Sequence, residues 1–160
     1  MNDDGYTSLP GGLRLEKSDA LICAVGSLDE LNAALGLLRV LPAGRPDAAR
    51  IEAVQRDLLR IGSELATGKP ALGTEDVARI EAELARQNAA LPPLHGFVLP
   101  GADERSARAH AARTACRRAE RELVRARKSH PERIFPPALA YLNRLSGLLF
   151  AMARSHPEIP

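Results

Sequence analysis

Apolar residues recur at spacings of three and four along most of the chain, which is the period of a helix that buries one face. Between Asp19 and Leu41, for example, such a stripe runs from Ile22 to Leu38. Runs of alternating polar and apolar residues, which would indicate strands, do not persist. The pattern predicts an all-α protein with five helices, at about 19–41, 51–68, 74–91 and 103–129 and from about 137 onward.

Prolines and glycines separate the predicted helices, and the connections between helices are short. Thr74, followed by two acidic residues, is predicted to be the N-cap of the third helix. Short connections favour antiparallel neighbours, so we expect an up-and-down, ferritin-like five-helix bundle in a single domain over residues 1–160. Residues 1–18 are predicted to be a polar loop, and residues 92–102 a second loop with exposed apolar side chains.

Composition excludes several classes of protein. Hydrophobic residues make up 45% and charged residues 26% of the chain, which is typical of globular rather than disordered proteins. The longest apolar runs, such as Leu148–Ala153, are much shorter than a membrane-spanning segment, and the acidic start does not resemble an export signal. We therefore expect a cytoplasmic protein without membrane contact. The two cysteines and four histidines show no metal-ligand spacing, so no metal centre is predicted.

Positive charge is concentrated on the predicted fourth helix, because ten basic and three acidic residues lie between Arg105 and Arg133. One stripe of this helix holds His110, Arg113, Arg117, Glu120 and Val124. Arginines one turn apart present planar donors that suit phosphate oxygens, although a solvated surface is the commoner role of an arginine run. Nucleic-acid binding is disfavoured because no aromatic residues interleave the run.

Two further polar residues lie on predicted helix faces. Asp29 lies beside small residues of the first helix, where a carboxylate requires a partner such as Arg113. That pair would be either a structural salt bridge or a support for a ligand-binding arginine. Asn143 on the last helix is predicted to form a helix-to-helix hydrogen bond. These patterns together indicate a helical bundle with an arginine-lined, anion-binding face.

Five sequence motifs span nearly the whole chain in order. They are Asp-Asp-Gly-Tyr-Thr-Ser-Leu at 3–9, Gly-Ser-Leu-Asp-Glu-Leu-Asn-Ala-Ala-Leu-Gly at 26–36, Phe-Val-Leu-Pro-Gly at 97–101, His-Ala-Ala-Arg-Thr-Ala-Cys-Arg-Arg-Ala-Glu-Arg at 110–121 and Tyr-Leu-Asn-Arg-Leu-Ser at 141–146. Together they resemble the ATP:cob(I)alamin adenosyltransferases of the propanediol-utilisation type. The fourth motif is the most specific of the five.

The resemblance implies a homotrimer with an active site at each subunit interface. It implies an enzyme that transfers the 5′-deoxyadenosyl group of ATP to the cobalt of cob(I)alamin, formed from cob(II)alamin, and releases triphosphate. Mg²⁺ would accompany ATP. A cobalamin reductase and a cobalamin-dependent mutase or dehydratase are the partners that such an enzyme implies.

The same resemblance implies roles for particular residues. Arg113 and Arg117 would hold the ATP phosphates, and Asp29 would orient Arg113 through a salt bridge. Glu120 and Asn143 would line the nucleotide site. The residues that would cover the phosphates and Mg²⁺ are Asp3, Asp4, Gly5, Thr7, Ser8 and Lys17.

Phe97 would occupy the space below the corrin ring and displace the lower ligand of cobalt. Some positions depart from the usual pattern of the family: Tyr6 stands where threonine is usual, Gly147 where aspartate is usual, and only two residues precede Asp3. These departures motivate an alternative hypothesis, a non-catalytic paralogue that binds or delivers a corrinoid or a nucleotide.

Overall fold

Five α-helices and a short N-terminal hairpin make up the part of the chain that the computed structural model describes, residues 4–41 and 47–155. The elements are β1 Tyr6–Ser8, β2 Arg14–Glu16, α1 Ala20–Arg39, α2 Ala48–Thr67, α3 Thr74–Ala89, α4 Glu104–Ser129 and α5 Pro136–Arg154, with a 3₁₀ turn over Pro131–Arg133. The prediction of five helices is confirmed, and each helix lies close to its predicted bounds.

Local capping explains where the helices begin and end. Asp19 caps α1 by accepting a 2.8 Å hydrogen bond from the backbone N–H of Leu21, and Asp103 caps α4 in the same way. Helix α2 ends at Gly68, whose φ of 70° is in the left-handed region that glycine adopts without strain. The prediction that Thr74 is an N-cap is wrong by one residue: Thr74 is the first helical residue, and the cap position is Gly73.

The prediction of a structureless N-terminal loop is also wrong, because β1 and β2 form an antiparallel hairpin in which Thr7 faces Leu15. Gly11 and Gly12 have φ values of 93° and 86°, so both permit a turn that other residues would strain. The backbone N–H of Leu9 donates to the carbonyl of Leu13 at 2.8 Å and closes the turn. Strands of three residues are too short to show an alternating pattern in the sequence.

The core lies where α4 packs between α1 and α5, with α2 against α1 and α3 against α5. Small residues on α4, including the fully buried Ala112 and Ala119, let the neighbouring helices approach closely. Helix α1 is long and apolar enough by composition to cross a membrane. Five of its six leucines, however, line the core, with Leu21 and Leu31 fully buried, as is typical of the core helix of a bundle.

A polar cluster joins α2, α3 and α5 on the side of the bundle formed by these helices. Asp57, 4% exposed, accepts a 2.7 Å hydrogen bond from the hydroxyl of the fully buried Tyr141 and a 2.6 Å one from Arg79. Asp76 accepts two hydrogen bonds from Arg60, at 2.9 and 3.0 Å. Burial, followed by the hydrogen bond to Asp57, raises the pKa of Tyr141. The cluster fixes three helices with charges that are paired.

Arg105 holds the C-terminal end of α5 in place. Its guanidinium, with the residue only 7% exposed, donates to the backbone carbonyls of Met152 and Ser155 and forms an ion pair with Asp47. These bonds satisfy carbonyl groups that the helix end leaves without partners. The last turn of α5 is therefore anchored to the start of α2.

Candidate active site

Two adjoining grooves run along the contact between α4 and α5. The first, about 330 Å³, is lined by Arg117, Glu120, Arg121, Val124 and Asn143. The second, about 280 Å³, is lined by Arg113, Arg117, Ser146, Gly147 and Phe150. Arg117 lines both grooves. The predicted stripe of α4 therefore forms one wall of a continuous site, and α5 forms the other.

Arg113 is half-buried and held by neutral groups. Its Nε–H donates to Nδ1 of His110 at 3.3 Å, and its Cζ lies 5.8 Å from the centroid of the Phe150 ring. The bond to Nδ1 uses that nitrogen of His110 as an acceptor, since arginine only donates. The two terminal nitrogens of Arg113 form no bond to a carboxylate among the described residues. The guanidinium thus keeps its positive charge for an anionic ligand.

A hydrogen bond joins Glu120 on α4 to Asn143 on α5, which confirms the prediction of a helix-to-helix hydrogen bond at Asn143. Nδ2 of Asn143 donates to Oε1 of Glu120 at 2.9 Å, and Oδ1 of Asn143 accepts a 2.9 Å bond from Arg144. Arg144 in turn donates to Glu81 on α3 at 3.2 Å. The amide of Asn143 is therefore oriented from both ends. The groove beside it offers carboxylate and amide groups that can hydrogen-bond to hydroxyl or amine groups of a ligand.

The predicted phosphate-covering residues that the structure describes lie on and around the hairpin. Gly5 and Lys17 face each other, since the backbone N–H of Lys17 donates to the carbonyl of Gly5 at 2.8 Å. Thr7 and Ser8 are on β1. Asp4 forms an ion pair with Arg14. Asp3 lies outside the described residues.

Phe97 lies in an irregular segment between α3 and α4, as predicted. Its side chain is completely exposed, Leu99 is 87% exposed and Leu94 is 52% exposed. Water contact on three large apolar side chains in one short loop is unfavourable for the isolated chain. A loop of this kind is typical of a surface that packs against an apolar partner or ligand.

Asp29 is on the exposed face of α1, next to the exposed residues Gly26 and Ala33. Within the described residues of a single chain its carboxylate forms no hydrogen bond or ion pair, with Arg113 or any other residue. The neighbouring Glu30 does form an ion pair with Arg118 of α4. The Asp29–Arg113 bridge therefore stays a prediction that one chain alone does not fulfil.

No group of three or more histidine, cysteine, aspartate or glutamate side chains is arranged to bind a metal ion within residues 4–41 and 47–155. The thiol of Cys116 is fully buried, and burial raises its pKa, so it is a poor nucleophile. The chemical character of the site accordingly comes from guanidinium groups, one carboxylate and one amide. Such groups bind and orient a polyanion.

Three residues that line the grooves were not predicted from the sequence. The sequence pattern gave Arg121, Ser146 and Phe150 no role in the site, yet all three line the grooves. The signal for two of them is present in the sequence, because Asn143, Ser146 and Phe150 are spaced to lie on one face of a helix.

The arginines of the α4–α5 groove and the exposed apolar loop of Phe97 together define a helical bundle suited to bind a polyanion and an apolar partner or ligand. The sequence profile of the family described as cobalamin adenosyltransferase matches residues 1–156. The chain belongs to this family.

Individual relatives agree with the family assignment. The cobalamin adenosyltransferase of Cupriavidus metallidurans is 44% identical over 154 residues, which cover 95% of this chain and 83% of the relative. The corrinoid adenosyltransferase PduO of Salmonella typhimurium is 39% identical over 161 residues, which cover 96% of this chain and 47% of that longer protein.

A solved structure matches the fold over almost the whole chain. It is that of a variant PduO-type ATP:corrinoid adenosyltransferase from Lactobacillus reuteri in complex with cobalamin and ATP. The TM-score is 0.85 at 29% sequence identity, and the match covers 95% of this chain and 88% of the other.

Proposed function

We propose that this chain transfers the 5′-deoxyadenosyl group of ATP to the cobalt of cob(I)alamin, which gives adenosylcobalamin and triphosphate. The observation that carries the proposal is the α4–α5 groove, where Arg113 and Arg117 present guanidinium groups that have no carboxylate partner among residues 4–41 and 47–155. Family membership supplies the chemistry of the two substrates, and the groove supplies a site for the anionic one.

The reaction requires positioning rather than a protein nucleophile. An electron pair on Co(I) attacks C5′ of ATP, the C5′–O5′ bond breaks, and triphosphate leaves with the bonding electrons, so cobalt ends as Co(III). Arg113 and Arg117 would neutralise the charge that develops on the leaving triphosphate. Glu120 and Asn143 would fix the nucleoside half of ATP beside them.

The N-terminal hairpin is proposed to close over the phosphates, with Asp3, Asp4, Gly5, Thr7, Ser8 and Lys17 as its contributing residues. Mg²⁺ that accompanies a nucleotide is usually held by phosphate oxygens, water and one or two carboxylates, so triphosphate oxygens and water would supply most of its ligands here. In the described chain Asp4 is paired with Arg14. Direct binding of Mg²⁺ by Asp4 would therefore require that ion pair to open.

Phe97 is proposed to lie below the corrin ring and displace the lower ligand of cobalt. Loss of an axial donor lowers the energy of the axial orbital and makes the reduction of Co(II) to Co(I) easier. The complete exposure of Phe97 in the isolated chain supports this role, because a corrin face would cover the ring.

A homotrimer with the active site between subunits is part of the proposal. Asp29, on an exposed face of small residues, would meet Arg113 of a neighbouring subunit and form the predicted salt bridge. Subunit contacts of this kind would also cover apolar side chains such as Leu37, which is 60% exposed on the same helix. We further propose a cytoplasmic location, a cobalamin reductase as electron donor and a cobalamin-dependent mutase or dehydratase as acceptor.

The test is to mix the purified protein anaerobically with chemically reduced cob(I)alamin and MgATP. We expect the cob(I)alamin absorbance to disappear while adenosylcobalamin and triphosphate form in equal amounts. Cobalamin that binds without release of triphosphate, while a control enzyme works, would contradict the proposal and support the non-catalytic alternative. Sedimentation analysis of the same sample tests the trimer.

A further inference from the structure

Two arginines lie close to the ring of Phe150. The Cζ atoms of Arg113 and Arg154 are each 5.8 Å from the centroid of the ring, within the range of a cation–π attraction. The ring of His110 meets Phe150 at 62° with a centroid distance of 6.1 Å. One half-buried aromatic side chain therefore contacts three neighbours that carry polar atoms.

The two arginines serve different parts of the proposed site. Arg113 lines the groove for the triphosphate and is bound through its Nε to His110. Arg154, at the last position of α5, donates from Nη2 to the carbonyl of Pro92 at 2.6 Å. Pro92 begins the loop that carries Phe97. The ring of Phe150 thus connects the nucleotide groove to the start of the apolar loop.

Neutral groups alone hold these two cations among the described residues. Neither Arg113 nor Arg154 forms an ion pair with a carboxylate in residues 4–41 and 47–155. The negative face of the Phe150 ring attracts a guanidinium group without cancelling its charge, so both arginines stay available to an anionic ligand or to a backbone carbonyl.

We propose that Phe150 is a positioning residue for both halves of the reaction: its ring orients Arg113 toward the triphosphate and Arg154 toward the loop of Phe97. This inference rests on the proposed function. It assigns a role to an aromatic ring that donates no hydrogen bond and transfers no group. The geometry requires a flat ring at this position rather than an apolar side chain of similar size.

The experiment compares Phe150→Leu with Phe150→Tyr, which keeps the ring. Phe135→Leu makes the same change at another half-buried phenylalanine, at the start of α5, and is the matched control. The equilibrium Kd for MgATP is measured by isothermal titration calorimetry, so transfer activity is not needed. We expect Phe150→Leu to raise this Kd by about 2- to 30-fold, the range that corresponds to one cation–π contact. Phe150→Tyr and Phe135→Leu should stay close to the wild type.

The loop is tested separately, by limited digestion with chymotrypsin and mass spectrometry of cleavage after Phe97. Phe150→Leu and Arg154→Leu should both be cleaved faster than the wild type, whereas Phe150→Tyr should not. Arg154→Leu keeps this part of the experiment decisive if Phe150→Leu is too unstable to purify. Thermal unfolding of every variant identifies a general loss of stability.

The outcomes separate this inference from the function on which it rests. In a background of Arg113→Met, Phe150→Leu should add no further loss of MgATP affinity, because the ring would act through Arg113. An equal loss in that background, or equal Kd values for folded Phe150→Leu and wild type, would overturn the positioning role alone. A wild-type protein that binds no MgATP at all would overturn the proposed function as well.

Discussion

Arg117 is the residue at which the proposed nucleotide site can be tested most directly. It lines both grooves, is exposed, and its side chain forms no hydrogen bond or ion pair with the other described residues. Arg117→Ala should therefore remove a ligand contact and leave the free energy of unfolding nearly unchanged. Arg113→Ala would be harder to interpret, because it also removes contacts with His110 and Phe150.

The magnitude follows from the chemistry of the contact. A hydrogen bond to a charged group contributes about 1.5–3 kcal/mol, and arginine makes such bonds to phosphate in a two-pronged geometry. Every 1.4 kcal/mol is a factor of ten, so kcat/KM for ATP should fall by about 10- to 150-fold in Arg117→Ala. The KM for the corrinoid should change much less, since Arg117 is proposed to contact only phosphate.

The assay follows triphosphate and adenosylcobalamin from cob(I)alamin at a range of MgATP concentrations. Arg125→Ala is the matched control, because Arg125 lies two turns further along α4 and, within the described parts of the chain, pairs only with Glu122, at 3.1 Å. A change of about twofold or less is expected for this control. If Arg117→Ala is folded and its kcat/KM for ATP equals that of the control, the assignment of Arg117 to the triphosphate is refuted.

Three further predictions concern Phe97, in the loop between α3 and α4, and the polar cluster of α2, α3 and α5. Phe97→Ala should leave the Tm unchanged and should lower the rate of adenosylcobalamin formation from cob(II)alamin plus a reductant far more than the rate from pre-reduced cob(I)alamin. Equal losses in the two rates would contradict the proposed position of Phe97 below the corrin ring. Tyr141→Phe removes a buried hydrogen bond to a carboxylate and should lower the free energy of unfolding in urea by about 1.5 kcal/mol; no change would argue against that bond. The hydrogen bond from Arg60, opposed by burial, lowers the pKa of Asp76 from its ordinary value to about 2, so the folded state favours the carboxylate. This stabilisation, at most about 2 kcal/mol, is complete above about pH 4 and is lost as the pH falls toward 2. Asp76→Asn should abolish this loss when the free energy of unfolding is measured by urea titration at each pH.

The fold was predictable because its elements are long and carry strong periodic patterns. Every helix has at least 16 residues, enough for several turns of apolar spacing, and proline or glycine residues separate the helices. The hairpin of residues 6–16 was missed for the opposite reason, since each strand has three residues. Its stability comes from glycine turns and from Leu13 and Leu15, which pack on the bundle.

The site was predictable where one helix determines it and less so where two helices meet. The stripe of Arg113, Arg117 and Glu120 follows from spacing along α4 alone. The spacing of Asn143, Ser146 and Phe150 places them on one face of α5. Which helix that face meets depends on how α5 is rotated against α4, and spacing within one helix does not specify this rotation, so Phe150 was missed. The proposed partner of Asp29, Arg113 of a neighbouring subunit, depends on a further step, the arrangement of subunits, which a single chain does not contain.

The distribution of carboxylates distinguishes the two polar regions of this protein and explains their different roles. In the cluster of α2, α3 and α5, Arg60 and Arg79 are paired with Asp57 and Asp76, so the positive charges are neutralised and contribute to stability. In the α4–α5 groove, Arg117 is left to solvent, and Arg113 is held by an imidazole and an aromatic ring. Guanidinium groups supported in this way keep both their charge and their orientation. Arg117 would therefore offer a triphosphate donors that do not have to be released from a carboxylate first, while Arg113 would be oriented by His110 and Phe150 and by the proposed bridge to Asp29 of a neighbouring subunit.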